Sequence, residues 1–415
     1  MIEIKPQSLF EGEFSLPGDK SITHRAVMLN AGAEGEAVIT NALLGEDCLS
    51  TCRCMRELGA EISIEGTTIK VKGVSKFQSG KLLDCGNSGT TIRLLTGFLS
   101  GKGIEATLTG DESLSKRPMS RVADPLSQLG ASVSTTDGHA PVQVCPANLR
   151  GEEITLKVAS AQVKSAVILA GLSADGETKV TEHVKSRDHT ERMLSAMGAD
   201  ISVTDRTVTV RKSKLKAVSV EVPSDISSAA YFMAIGALKG KTLCKNVGVN
   251  PTRTGILKAF DLLGVKYSLL NKRASGGEEI ADILVEKSQL KPIKLTEKDI
   301  PSMIDELPLI ALLCAFANGE SHITGAKELK VKESDRILTT AELINGLGGE
   351  CIPTDDGFII RGHGGLKGGV VESYLDHRIA MTGAVALLAS NEGGTILREE
   401  CCAISFPDFF KRLGV

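Results

Sequence analysis

The sequence predicts an α/β protein built from six similar units, grouped three and three into two domains. The first sign is a recurring helix ending: "MRELGA" places a glycine at 59, "LSQLGA" at 130, "LSAMGA" at 198, "FDLLGV" at 264, "INGLGG" at 348 and "FKRLGV" at 414. The intervals are 71, 68, 66, 84 and 66 residues, and in each case the glycine closes an apolar helical pattern where positive φ is needed. The second sign is a small-residue helix, a Gly turn and a β-branched strand between these endings, as in "AVMLNAGAEGEAVITN" and "VILAGLSADGETKVTEH". The third is length: 415 residues exceed one ordinary core.

In chain order, the first five endings are each followed by alternating segments such as "EISIEGTTIKVKG" and "ISVTDRTVTVRK", which read as β-hairpins. The sixth unit breaks off at Val415, while "MIEIKPQSLFEGEFSLPG" at the N-terminus reads as two strands with no helix before them. Residues 1–18 are therefore expected to complete the last unit. One domain would comprise 1–18 plus 231–415, the other 19–230, with hinges near 16–20 and 223–231. Units of this kind bury their apolar faces against their neighbours.

Composition narrows the partners. Lys plus Arg (48) nearly balances Asp plus Glu (51), a net charge of −3, so no global basic field draws nucleic acid or an acidic membrane. There is no Trp and only three Tyr, which disfavours base-stacking platforms. No apolar run approaches the roughly 20 residues needed to span a bilayer, and no export signal is evident. The ten cysteines, including Cys52/Cys54 and Cys401/Cys402, lack zinc spacing and read as reduced thiols of a cytoplasmic protein.

Candidate chemistry lies in polar turns that open helices. "PGDKSITHR" (17–25) packs Lys20, Ser21, His24 and Arg25 behind a Pro-Gly turn; its spacing fails the nucleotide P-loop pattern. "DCGNSGTTIRLL" (84–95) turns backbone N–H groups toward solvent at a helix start, which suits an anion or a plain structural cap. "ASAQVKSAVILAG" (159–171) and "SRDHTERM" (186–193) repeat the pattern with Ser160, Gln162, Ser186 and His189. "SKRPMS" carries Arg117, where a solvated turn is the competing reading. In "LKVKESDRILTT" a helix beginning near Glu333 would project Lys332 and Arg336 from one face. "MIDELPLIALL" and "YLDHRIAMTGAV" set Asp305, Glu306, Asp376 and Arg378 against apolar helices, where carboxylates are candidates for acid/base work. Because these turns fall at corresponding places in successive units, their helix starts could converge on one electropositive cleft.

Six motifs in this order, "LPGDKSITHR", "GNSGTTIRLL", "KRPM", "VKESDR", "LDHRIAM" and "SFPDFF", resemble the 5-enolpyruvylshikimate-3-phosphate synthase family over the full length. The resemblance implies two inside-out α/β domains of three βαβαββ units each, with the active site in an interdomain cleft. It implies transfer of the enolpyruvyl group of phosphoenolpyruvate to the 5-hydroxyl of shikimate 3-phosphate, without metal or organic cofactor, by a monomer whose partners are those two small molecules. By resemblance, Ser21, Arg25, Ser160, Ala161, Gln162, Ser186, Asp305, Glu328 and Lys332 would hold shikimate 3-phosphate. Lys20, Asn87, Gly89, Arg117, Gln162, Arg336 and Arg378 would hold phosphoenolpyruvate. Asp305 would be the base at the 5-hydroxyl, Glu333 would move the proton at C3, and Lys20 would stabilise charge or shuttle protons.

Some positions depart from familiar members: Ile404 where a lysine is frequent, Glu328 for Asn, Ala161 for a second Ser, His189 for Tyr and Leu94 for Pro. These resemble the branch often less sensitive to glyphosate, while Gly89 is retained and the inhibitor response stays open. Two alternatives remain in view. The related UDP-N-acetylglucosamine enolpyruvyl transferase usually carries a Cys five residues before the arginine matching Arg117, and here that position is Glu112. A non-catalytic phosphometabolite-binding protein would not need Lys20, Asp305, Glu333 and Arg378 together.

Overall fold

The computed structural model describes every residue except Ala159 and the side chain of Ile404. The chain divides into two compact units. One comprises Met1–Pro17, Pro223–Arg273 and Glu279–Val415; the other comprises Gly18–Val222 and Ala274–Glu278. Each has its own apolar core. The expected boundary at 230/231 would cut the helix Ile226–Lys239, which stays whole in the first-named unit. A buried helix cannot be shared between cores, so the chain crosses at Val222/Pro223 instead.

The six-fold repeat is realised strand by strand. Among the described residues there are five four-stranded sheets and one of three strands. The central strand of each follows one of six helices: Lys20–Ala31, Gly89–Lys102, Ala161–Gly171, Ile226–Lys239, Leu307–Phe316 and His377–Ala389. In every sheet that central strand takes a parallel partner, and in five of them an antiparallel hairpin completes the other side, as in Glu36–Thr40 with Thr68–Lys72 and Glu61–Glu65. The glycines at 59, 130, 198, 264, 348 and 414 all sit at φ between 78° and 100°, the left-handed conformation that ends each second helix.

The N-terminal strands behave differently from expectation. Residues 1–18 do not complete the last unit together. Ile2–Ile4 pairs antiparallel with Gly394–Leu397 and completes the sixth sheet. Phe10–Ser15 instead runs parallel to Gly240–Gly248 and starts the fourth. Val220–Glu221 likewise supplies the parallel strand of the first sheet, beside Glu36–Thr40. Both first and fourth sheets thus borrow a strand from distant sequence, because the chain crosses between units where a local parallel partner would otherwise stand.

The helices lie inside and the sheets outside. Every residue of His377–Ala389 is buried, whereas Glu36–Thr40 alternates exposed and buried. A helix apolar on all sides needs cover all round, and a strand alternating with period two needs it on one face only. Helices Gly89–Lys102 and Ala161–Gly171 touch backbone to backbone. A Cβ at Gly97 would lie 2.1 Å from the Ala166 carbonyl oxygen, so only glycine allows the crossing. That crossing brings the two helix starts side by side.

Candidate active site

Candidate residues occur in both units, and in each they gather near helix N-termini. In the Gly18–Val222 unit, Asp19 caps the first helix by accepting the Ile22 N–H at 2.9 Å. A Cβ at Gly18 would fall 1.9 Å from the Asn41 carbonyl oxygen, so the Pro-Gly turn is steric necessity. Lys20 is half-buried and ion-paired with Asp47. Arg25 is buried and donates to neutral acceptors: Nε to Thr190 Oγ1 at 2.7 Å, and its terminal nitrogens to the Ser21 carbonyl and Ser165 Oγ, both at 2.9 Å. Burial brings its pKa down to about 10, with Glu191 opposing. His24, behind it, is pushed by burial to about 3 and stays neutral, bonded to Thr51 at 2.7 Å.

The turn before Gly89 forms a second cluster. Ser88 caps the helix by accepting the Thr91 N–H at 3.1 Å. Asn87 donates to Asp111 at 2.6 Å and accepts from Arg117, so Arg117 is tied to this turn rather than solvated. A Cβ on Gly89 would meet an Arg93 nitrogen at 2.8 Å and an Arg117 nitrogen at 3.3 Å. Gln162 joins the cluster, accepting from Arg93 at 2.6 Å and donating to Thr90 at 2.9 Å. Ser160 accepts the Val163 N–H at 3.4 Å, the capping role that competed with anion binding in the sequence. Ala161 follows it, half-buried, as the first helical residue. Ser186 donates its hydroxyl to Glu182.

The other unit gathers arginines and carboxylates. Arg336 is buried, with Nε 2.8 Å from Asp376, a terminal nitrogen 2.6 Å from Glu333, and the other 3.6 Å from Asp305. Burial disfavours its charge, yet Asp376, then Glu333 and Asp305, more than offset this and raise its pKa. Asp376 is fully buried; burial pushes its carboxyl up, but Arg336 dominates and the net shift is downward. It also caps its helix, accepting the Arg378 N–H at 2.9 Å. Arg378 reaches the Ser227 carbonyl at 3.3 Å, and Arg253 holds Asp225 at 2.8 Å and faces Asp305 at 3.9 Å. Glu306, bonded to Ser227, is raised by burial.

Sequence reasoning placed Lys332 and Arg336 on one helical face, and the structure corrects this. The helix begins at Arg336, capped by Asp335, and Lys332 lies in extended backbone after the 3-10 turn Lys327–Val331. Asp335, a better cap than Glu333, sets the start three residues later. Glu328 is exposed on that turn. Reading motifs also passed over Arg93, Arg253, Ser227 and Glu182. A buried cation shows in sequence only as a charge inside an apolar run, the signal that Arg93 and Lys164 carry. The Ile404 side chain and Ala159 lie outside the described residues.

Comparison with known proteins gives one answer throughout. The family model described as EPSP synthase (3-phosphoshikimate 1-carboxyvinyltransferase) matches residues 4–413. A 3-phosphoshikimate 1-carboxyvinyltransferase of Thermoanaerobacter sp. (strain X514) is 48% identical over 416 residues, covering 99% of this chain and 98% of its own. One from Bacillus cytotoxicus is 45% identical over 422 residues, with both chains fully covered. A solved EPSP synthase structure from Acinetobacter baumannii superposes with a TM-score of 0.90 at 42% identity, covering 99% of this chain and 97% of that one.

Proposed function

The chain belongs to the EPSP synthase family and transfers the enolpyruvyl group of phosphoenolpyruvate to the 5-hydroxyl of shikimate 3-phosphate, and we propose how its residues divide that work. Ser21, Arg25, Ser160, Ala161, Gln162 and Ser186, with Asp305, Glu328 and Lys332 from the other unit, bind shikimate 3-phosphate. Lys20, Asn87, Gly89, Arg117, Gln162, Arg336 and Arg378 bind phosphoenolpyruvate. Residues of both units serve one reaction.

In the addition step Asp305 takes the proton of the 5-hydroxyl as that oxygen bonds to C2 of the enol, and Glu333 delivers a proton to C3. In the elimination step the C2–O bond to phosphate breaks while a proton leaves the C3 methyl, restoring the double bond. Proton transfers of this kind contribute roughly 10²–10⁴ in rate. Lys20 and the arginines stabilise the phosphate as charge builds on it.

The observation that supports these roles is that Glu333 at 2.6 Å and Asp305 at 3.6 Å share Arg336, at a helix start, with the buried Asp376 at 2.8 Å. One experiment separates them. In D2O with phosphoenolpyruvate and a shikimate 3-phosphate analogue lacking the 5-hydroxyl, so that the base at that hydroxyl has nothing to do, Glu333→Gln should slow deuterium entry at C3 of phosphoenolpyruvate more than Asp305→Asn does. Equal labelling in both variants would reject the division of roles.

Among the described residues no helix is long and apolar enough to cross a membrane. The ten cysteines are free thiols, which supports a reducing, cytoplasmic location. The family resemblance supports a monomer.

A further inference from the structure

One charged group lies where the repeat calls for an apolar one. Lys164 sits on the helix Ala161–Gly171, among Val163, Ala166, Val167 and Ile168, and its side chain is 1% exposed. Its ammonium is 2.8 Å from Glu182 and 2.7 Å from Glu191, both buried. Burial pulls its pKa down, but Glu191 and Glu182 together more than reverse this, so it stays protonated. A buried ion cluster of this sort stabilises less than well-packed hydrocarbon would, so its presence asks for another reason.

The cluster leads directly into the shikimate 3-phosphate half-site. Glu182 accepts both the hydroxyl and, at 3.3 Å, the backbone N–H of Ser186. Next to Glu191, Thr190 accepts from Arg25 and shares a hydrogen bond of 2.7 Å with Ser165, the neighbour of Lys164. Two cations, Arg25 and Lys164, therefore stand against two carboxylates, Glu182 and Glu191. Were Lys164 neutral, Glu191 and Glu182 would cancel the field of Arg25 where an anion is to be bound.

Resting on the substrate assignment above, we propose that Lys164 is a positioning residue for shikimate 3-phosphate. It neutralises Glu182 and Glu191 so that Arg25 keeps its field, and it fixes Glu182 so that Ser186 is held in place. When the phosphate arrives, the Ser186 hydroxyl turns from Glu182 to the phosphate oxygen; no covalent bond changes.

The test compares Lys164→Met with the triple variant Lys164→Met/Glu182→Gln/Glu191→Gln, which removes all three charges and should restore thermal stability. We expect KM for shikimate 3-phosphate to rise at least tenfold in the single variant. It should fall back to within about threefold of the parent in the triple variant, where no carboxylate opposes Arg25, with KM for phosphoenolpyruvate within twofold of the parent in both. A single variant with parental KM for shikimate 3-phosphate, or a triple variant that regains stability while that KM stays as high as in the single one, would overturn the proposal. Ser186→Ala separates the two levels. If it leaves the KM for shikimate 3-phosphate unchanged, the substrate assignment itself fails; if it raises that KM while Lys164→Met does not, only the role of Lys164 fails.

Discussion

Arg25, in the second turn of its helix, and Arg336, the first residue of its own, are both buried arginines, yet they are held in opposite ways. Arg25 bonds to two hydroxyls and a carbonyl, and burial lowers its pKa to about 10. Arg336 is clasped by Asp376 and Glu333 and faced by Asp305; against the pull of burial these carboxylates raise its pKa. A cation solvated by neutral dipoles keeps its field for an incoming anion. A cation faced by carboxylates shares its field with them and at the same time fixes where they stand. The first arrangement suits binding of a substrate anion, and the second adds the orienting of groups that move protons to the proposed contact with phosphoenolpyruvate.

The largest effect should follow from removing the exposed field. Arg25→Ala loses charge-assisted hydrogen bonds worth roughly 1.5–3 kcal/mol each, so kcat/KM for shikimate 3-phosphate should fall about 10²–10⁴-fold in steady-state kinetics. A fall below tenfold would break the contrast. Asp376→Asn should act on folding instead: it breaks a buried pair with Arg336, and losses of this type run to about 3–5 kcal/mol, readable as a lowered denaturation midpoint. Because the Asp376 pKa is lowered in the folded state, its contribution is present above the unfolded value of about 4 and is lost as pH falls below it.

A smaller effect is common to both units. His24 and His377 are buried and pushed down to about 3 and about 4, burial being the main cause in each. Between those values and about 6.5 the unfolded chain binds more protons, so stability should drop as pH falls through that window, by up to about 1.4 kcal/mol per unit for each histidine. Their ring-proton resonances should not titrate between pH 5 and 8. Gly89→Ala should raise KM for phosphoenolpyruvate about tenfold at nearly unchanged stability, since the new methyl displaces only the flexible ends of Arg93 and Arg117. The smallest effect is expected at Glu112, whose side chain pairs with Lys116 at the surface. Glu112→Ala should leave kcat unaltered in steady-state assays, and a drop beyond twofold would break the reading of Glu112 as a surface residue away from the reaction.

The helix endings and their glycines carried the repeat count, because a left-handed residue at a helix end can be read from local sequence. The helix starts that carry Lys20, Gly89, Gln162, Asp305 and Arg378 were legible for the same reason: turns and caps are short-range. What each charge does there was not. Lys332 and Arg336 looked like one exposed face, and the structure separates them at the Asp335 cap. The N-terminal strands looked like one completed unit, and Ile2–Ile4 and Phe10–Ser15 pair with sheets far apart in sequence.

By itself, then, the sequence determined the repeated unit, the positions of the polar turns and, through its motifs, the family. Tertiary structure alone decided which strand closes which sheet, and which partner each buried charge meets. Strand pairing and ion pairing depend on atoms brought together from distant parts of the chain. Asp376 meets Arg336 across 40 residues, and Thr190 meets Arg25 across 165. Local patterning has no means of recording such encounters.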